Sequence, residues 1–377
     1  AAVLEALEVA TETPTKPWMR PYNLEVATAR SLYSSVLFPG LKKLGAAIGR
    51  KPKPGADYDY VRPSDLGNAL GELAKPDRVA KVMAGGTDLQ VGLRQGVYET
   101  DAVIDIAVLP ELHGITVSDE TVTIGAATTI SELAERDDLR ITHPMLTDGL
   151  AKIATRQIRN VATIAGDLSQ EKRCWFFRSG IQCYKAGGVT CPCYAVLGDN
   201  RHHSILGAGR CAAPCVADAA PILTALGAMV IIVGRNGTRR VGLEQFYRWS
   251  GETVVGPAEL ISAIEIPTAR SDTTQVFEKF AGWDGDFADA SVAMYLEWNG
   301  ERVVSARVSL GAVSPLPIRA GAAERALVGV ELTDEAIRTA SEKTIQGALP
   351  LSGNSHKCKL IVNLTERAIQ NSLAQRS

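Results

Sequence analysis

Six of the seven cysteines, Cys174, Cys183, Cys191, Cys193, Cys211 and Cys215, fall within 42 consecutive residues, and only Cys358 lies elsewhere. Thiols crowded in this way among Gly, Pro and aromatic residues point to a metal or iron–sulfur site. Such a site would organise the chain around it. Secreted disulfide scaffolds are small and spread their thiols throughout, so a reducing compartment with metal-bound thiolates fits this pattern better.

The rest of the chain is ordinary. At 377 residues it can hold two or three domains. Hydrophobic and charged contents of 46% and 22% exclude wholesale disorder. A net charge of −2 gives no general attraction to nucleic acid or anionic membrane. The longest apolar run, Ile222 to Val233, is shorter than the ~20 residues that span a bilayer, and reads as a helix end entering a buried strand.

Residues 20–53 are basic, with Arg20, Arg30, Lys42, Lys43, Arg50, Lys51 and Lys53 against only Glu25. A compact apolar signal core is not evident there. The segment 1–55 reads as an arm packing against a partner subunit, with a transit peptide or surface-binding helix as the alternatives. Regular structure is expected from about Tyr58. Strands are read at Ala80–Met83, Ala102–Ile106, Thr121–Ile124, Met229–Val233, Thr238–Val241 and Arg302–Leu310. Helices are read from Leu89 and over Ile130–Arg136, Val216–Leu226, Asp334–Gln346 and Lys359–Leu373. Asn236-Gly237 and Asn299-Gly300 are turn signals. The pattern implies an N-terminal α/β region, the cysteine insertion, and a C-terminal α+β domain from near Thr273.

Two loops carry the remaining chemistry. In Ala84-Gly85-Gly86-Thr87-Asp88 the paired glycines permit positive φ and close approach, so successive N–H groups can converge on phosphate oxygens. Arg159 to Asp167 has small residues at Ala162, Ala165 and Gly166, with Thr163 and Asp167 as polar contacts. Either loop alone is an ordinary turn. The pair is more specific.

Seven short segments in order then resemble the FAD-binding subunit of molybdenum hydroxylases, the group of xanthine dehydrogenase, carbon monoxide dehydrogenase and aldehyde oxidoreductases. They are Ala84–Leu89, Ile104–Ile106, Ile124–Ala126, Gln157–Asn160 continuing to Thr163–Gly166, Glu259–Ile261, Leu310–Val313 and Pro317–Ala320. The resemblance runs from about Tyr58 to the C-terminus. It implies a two-part α/β FAD-binding domain over 56–268, with an insertion at about 170–215. A C-terminal α+β domain with a small antiparallel sheet would follow over 273–377, the whole being α+β. Ala84, Gly85, Gly86, Thr87, Asp88 and Leu89 would wrap the FAD pyrophosphate. Arg159, Asn160, Thr163, Ala165, Gly166 and Asp167 would form a second wall beside the flavin. Where the family usually has Gly-Gly-Asn this chain has Ala165-Gly166-Asp167, which would put a carboxylate near the cofactor. Asp218 matches an aspartate associated with the nucleotide, Asp286 one near the isoalloxazine ring. Lys279, and Lys357 or Lys359, are candidates for the flavin edge, although surface lysines are more often simply solvated.

Cysteine insertions of this length resemble those in the flavin subunits of 4-hydroxybenzoyl-CoA reductase and of a bacterial periplasmic aldehyde oxidoreductase, where they hold a 4Fe–4S cluster. The ligand set implied is Cys174, Cys183, Cys193 and Cys211, with Cys191 the rival to Cys193. Cys215 reads as a small buried hydrophobe. Trp175, Phe176 and Phe177 would shield the cluster. Four-cysteine zinc is the competing metal, disfavoured by the absence of Cys-x2-Cys knuckles. His202 and His203 are further candidate ligands, although paired histidines in a polar loop are usually exposed.

The function implied is an electron-transfer FAD subunit of a multi-subunit oxidoreductase. Large molybdopterin and small 2Fe–2S partner chains would pass electrons to it, and NAD, oxygen, a quinone or another carrier would accept them. Nucleic acid is not an expected partner, and no transmembrane segment is read. A cytoplasmic location is expected, with export as part of a complex left open. A self-contained flavin oxidase and a zinc-stabilised scaffold are the rival readings.

Overall fold

A computed structural model describes residues 58–181, 183–186 and 193–376. The arm assigned to 1–55 and the alternative ligand Cys191 lie outside the described residues. Three sheets carry the architecture. The first is parallel, with β1 (Asp59–Val61), β2 (Ala80–Met83) and β3 (Ala102–Asp105) in the order β1-β3-β2. All four residues of the central strand β3 are buried, as expected where helices cover both faces of a parallel sheet.

The second sheet is antiparallel, in the order β4-β5-β10-β6-β7. Its strands are β4 (Ile115–Val117), β5 (Thr121–Gly125), β6 (Met229–Gly234), β7 (Gly237–Gly242) and β10 (Glu259–Pro267). A small hairpin of β8 (Tyr247–Trp249) and β9 (Glu252–Thr253) precedes β10. The third sheet runs β11-β12-β13-β14, from β11 (Thr273–Ala281) and β12 (Ala288–Asn299) to β13 (Arg302–Gly311) and β14 (Ile318–Arg319). Helices Gly321–Leu327, Asp334–Lys343 and His356–Ala374 close the core over it.

Helix Ala219–Leu226 is the hub. All eight of its residues are buried, and it packs against β12, β13 and the helix Pro144–Ala151. A helix apolar on every side must lie between layers. It stops where Gly227 takes φ 73, a left-handed C-terminal cap, and runs directly into β6.

Several boundaries differ from the sequence reading. The helix read over Ile130–Arg136 ends at Ala134, because Arg136 is extended and starts a separate helix, Asp137–Thr142. The helix read from Val216 begins at Ala219, after Asp218 in the N-cap position. The final helix begins at His356, three residues before the Lys359 of the sequence reading. Both turn signals hold: Gly237 and Gly300 have φ 119 and 56 at the tips of the β6–β7 and β12–β13 hairpins.

Candidate functional site

The two glycine-bearing loops meet. A Cβ on Gly85 would lie 1.7 Å from the Val161 carbonyl oxygen and 3.0 Å from the Ala162 Cα, so the backbones touch where only hydrogen fits. Gly86 turns with φ 70. The N–H groups of Gly85, Gly86 and Thr87 have no acceptor among the described residues. Thr87 is exposed, so the row opens outward. Unpaired, convergent N–H groups are the chemistry an anionic phosphate requires.

The second loop is held from within. Arg159 Nη1 donates to the carbonyls of Ile153 and Ala154, both at 2.8 Å, and so fixes Ala154 at φ 46. Asn160 Oδ1 accepts from Ser131 Oγ at 2.7 Å. Thr163 Oγ1 accepts the Gly166 N–H and caps helix Ile164–Ser169. Ala165 N donates to Ala126 O.

Asp167 is buried rather than aimed outward. Its Oδ2 accepts from Ala219 N at 3.1 Å and its Oδ1 from Gln170 Nε2 at 2.8 Å, so it satisfies the N-terminus of the hub helix. Burial and the nearby Asp218 push its carboxyl up to about 7, against the pull of the Ala219 N–H and Lys279. Asp218 forms a buried ion pair with Lys279 at 2.7 Å, both side chains under a tenth exposed. Burial raises Asp218 and Lys279 opposes the rise. Lys279 also donates to Lys152 O at 2.9 Å. The Asp286 turn leans on the turn that Arg159 holds at Ala154, since a Cβ on Gly285 would be 2.6 Å from Ala154 O. Asp167, Asp218, Lys279 and Asp286 thus share one neighbourhood. Lys357 does not join them: it is fully buried and donates to Ala312 O at 3.0 Å.

Asp88 ties the first loop to the cysteine segment. Its carboxylate accepts from Tyr98 Oη and Glu171 N, both at 2.9 Å, and pairs with Arg173 and Arg178. Burial alone would raise it, but Arg173, the Glu171 N–H and Arg178 outweigh that and hold it below its ordinary value. Arg173 also lies 4.9 Å from the Phe287 ring, one residue past Asp286.

Beyond that anchor, Cys174, Cys183, Cys193 and Cys211 line one cavity with about 330 Å³ of empty space, its open mouth included. Phe176 and Phe177 form part of the wall; of the basic residues on it, Lys172 Nζ donates to Pro315 O at 2.6 Å and Lys185 pairs with Glu171 at 3.2 Å. Cys174 is pushed up to about 12 by burial, so without a metal it is a neutral thiol. Among the described residues no three His, Cys, Asp or Glu side chains converge tightly enough to hold a single ion. Cys215 stands apart, buried in the main core.

His203 departs from the reading of it as exposed. It is buried, and its Nε2 lies 3.3 Å from Cys174 Sγ, while its neighbour His202 is half exposed and bonds Asp289. Arg173, Arg178 and Lys172 were absent from the sequence-derived site. The Lys172-Arg173 pair just before Cys174 was the one available signal, since cations are needed beside clustered thiolates.

Comparison with known proteins gives the family. Residues 56–269 match the model of the FAD binding domain in molybdopterin dehydrogenase, and 275–372 that of the CO dehydrogenase flavoprotein C-terminal domain. The carbon monoxide dehydrogenase medium chain of Hydrogenophaga pseudoflava is 25% identical over 84% of this chain and 98% of the relative. The aldehyde oxidoreductase FAD-binding subunit PaoB of Escherichia coli is 32% identical over 66% of this chain and 79% of its own. The solved carbon monoxide dehydrogenase of Hydrogenophaga pseudoflava superposes with a TM-score of 0.70 at 26% identity, covering 85% of this chain and 99% of that one. No described helix is long and apolar enough to cross a membrane. With both family models matched and a flavoprotein fold shared almost end to end, the chain belongs to the FAD-binding subunits of the molybdopterin dehydrogenases, and is an oxidoreductase subunit of that family.

Proposed function

We propose that the chain is the electron-transfer subunit of a multi-subunit molybdopterin-dependent dehydrogenase, carrying FAD and one 4Fe–4S cluster. FAD would exchange electrons in pairs or singly and the cluster singly, which suits a station between one-electron iron–sulfur partners and an external acceptor. The FAD-binding domain would span 56–268 and the C-terminal domain 273–377. The basic arm at 1–55 would face a large molybdopterin chain or a small 2Fe–2S chain.

This chain's own residues bind, orient and shield. Gly85, Gly86 and Thr87 offer unpaired N–H groups to the FAD pyrophosphate, and the Val161–Ala162 backbone forms the opposing wall. Asp218, Lys279 and Asp286 place a charged, largely buried group next to that wall. Cys174, Cys183, Cys193 and Cys211 are the cluster ligands. The observation that carries the reading is that four thiols scattered over 38 residues border one cavity joined to the first glycine loop through Asp88.

Anaerobic purification with iron, acid-labile sulfide, zinc and flavin analysis tests it. About four irons and one FAD per chain are expected. Cys174→Ser should lose the iron and keep the FAD, whereas Cys191→Ser should keep both. Zinc as the sole metal, or full iron retention in Cys174→Ser, refutes the ligand assignment.

A further inference from the structure

Among the described residues, two buried polar side chains from outside the proposed ligand set bond its sulfurs: the imidazole of His203 at Cys174 and the hydroxyl of Ser250 at Cys211. The His203 Nε2 lies 3.3 Å from Cys174 Sγ, and the residue is 4% exposed. The backbone that carries the ring is held on both sides. Asn354, fully buried, donates from Nδ2 to the carbonyls of His203 and Ser204 at 3.0 and 3.1 Å, and the His203 N–H donates to Asn200 O at 2.9 Å. Nδ1 is buried with no partner among the described residues.

Iron ligation takes the proton from Cys174, so its sulfur can then only accept. A hydrogen bond between the two atoms therefore requires the proton on Nε2, leaving the unpartnered Nδ1 as the lone-pair nitrogen. A donor to a ligand sulfur draws electron density from the cluster and stabilises the more negative, reduced form.

We propose that His203 is a positioning residue that sets the cluster's reduction potential, raising it through an Nε2–H bond to the Cys174 sulfur. The inference rests on the 4Fe–4S reading above. The step concerned adds one electron to the cluster, makes and breaks no covalent bond, and leaves the imidazole proton where it is.

Reductive titration of the purified holoenzyme with dithionite, followed by the cluster's electron paramagnetic resonance signal, reads the effect for wild type, His203→Ala and His203→Gln. In His203→Ala the iron content should stay at the wild-type level while reduction becomes about tenfold less favourable, a fall of about 59 mV for one electron. The Gln amide can still donate, so His203→Gln should recover most of the shift. Both variants titrating at the wild-type potential with full iron would overturn the proposal. Loss of iron from both variants would overturn it too, by making His203 a ligand. A wild-type enzyme without iron would instead defeat the cluster reading itself, before either variant is measured.

Discussion

Replacing Asp167 by Asn should remove one pH-dependent contribution to stability. The carboxyl is buried and titrates at about 7 in the folded chain, against an ordinary value of 3.8. A raised carboxylate holds its proton in the folded state after the unfolded chain has lost it. Its stabilising contribution is therefore fully present below about 3.8 and is lost as pH rises to about 7. Linkage over that window gives a loss of about 2–3 kcal/mol between pH ~5 and ~8. Asn keeps the shape: its Oδ1 can still accept from Ala219 N, and the Gln170 amide can turn to meet Nδ2. It is also the residue that the resembling family usually carries at this position, so flavin binding should survive. Urea unfolding of wild type and Asp167→Asn across this range isolates the effect, because titrating groups not coupled to Asp167 cancel in the difference. The variant's advantage should grow by about 2–3 kcal/mol from pH ~5 to ~8. Parallel curves would show that Asp167 is ionised throughout, and the argument from burial beside Asp218 would fail.

Two further perturbations probe the same region. Gly85→Ala puts a methyl 1.7 Å from a backbone oxygen that cannot swing away, so the loops must part. An overpacking cost of about 1–3 kcal/mol corresponds to FAD binding weakened roughly tenfold or more, read as flavin absorbance per chain after gel filtration; unchanged flavin content would refute the contact. Lys279→Met strands Asp218 in the interior next to Asp167, and should destabilise the fold by about 3–5 kcal/mol near pH 8. Asp218→Asn in the same chain should restore most of that loss, and a melting temperature that does not recover would show that the pair is not the cause.

Much of the site was legible in the residues. Gly85-Gly86 after a short apolar run announced a strand, a tight turn and exposed N–H groups, and β2 and the loop follow that order. The density of thiols drew attention to Cys174–Cys211, four of whose cysteines border one cavity, and Ile222 to Val233 was readable as a helix entering a strand. These are local signals: glycine conformational freedom, side-chain chemistry and apolar continuity act within a few residues. The partners were not legible. Asp167 looked like a residue facing a cofactor but caps a helix 52 positions on. Lys279 was read as a candidate for the flavin edge, and it is paired with Asp218 across 61 positions.

The sequence by itself determined the element types, the two glycine turns and the supply of thiols. Tertiary structure alone decided that Val161 lies against Gly85, that Asp88 clasps Arg173 and Arg178, and that His203 reaches Cys174. The reason is burial. Once these polar groups leave water they must find partners in the interior, and which partner is at hand depends on how the sheets and the hub helix pack, a choice made by contacts far apart in the chain.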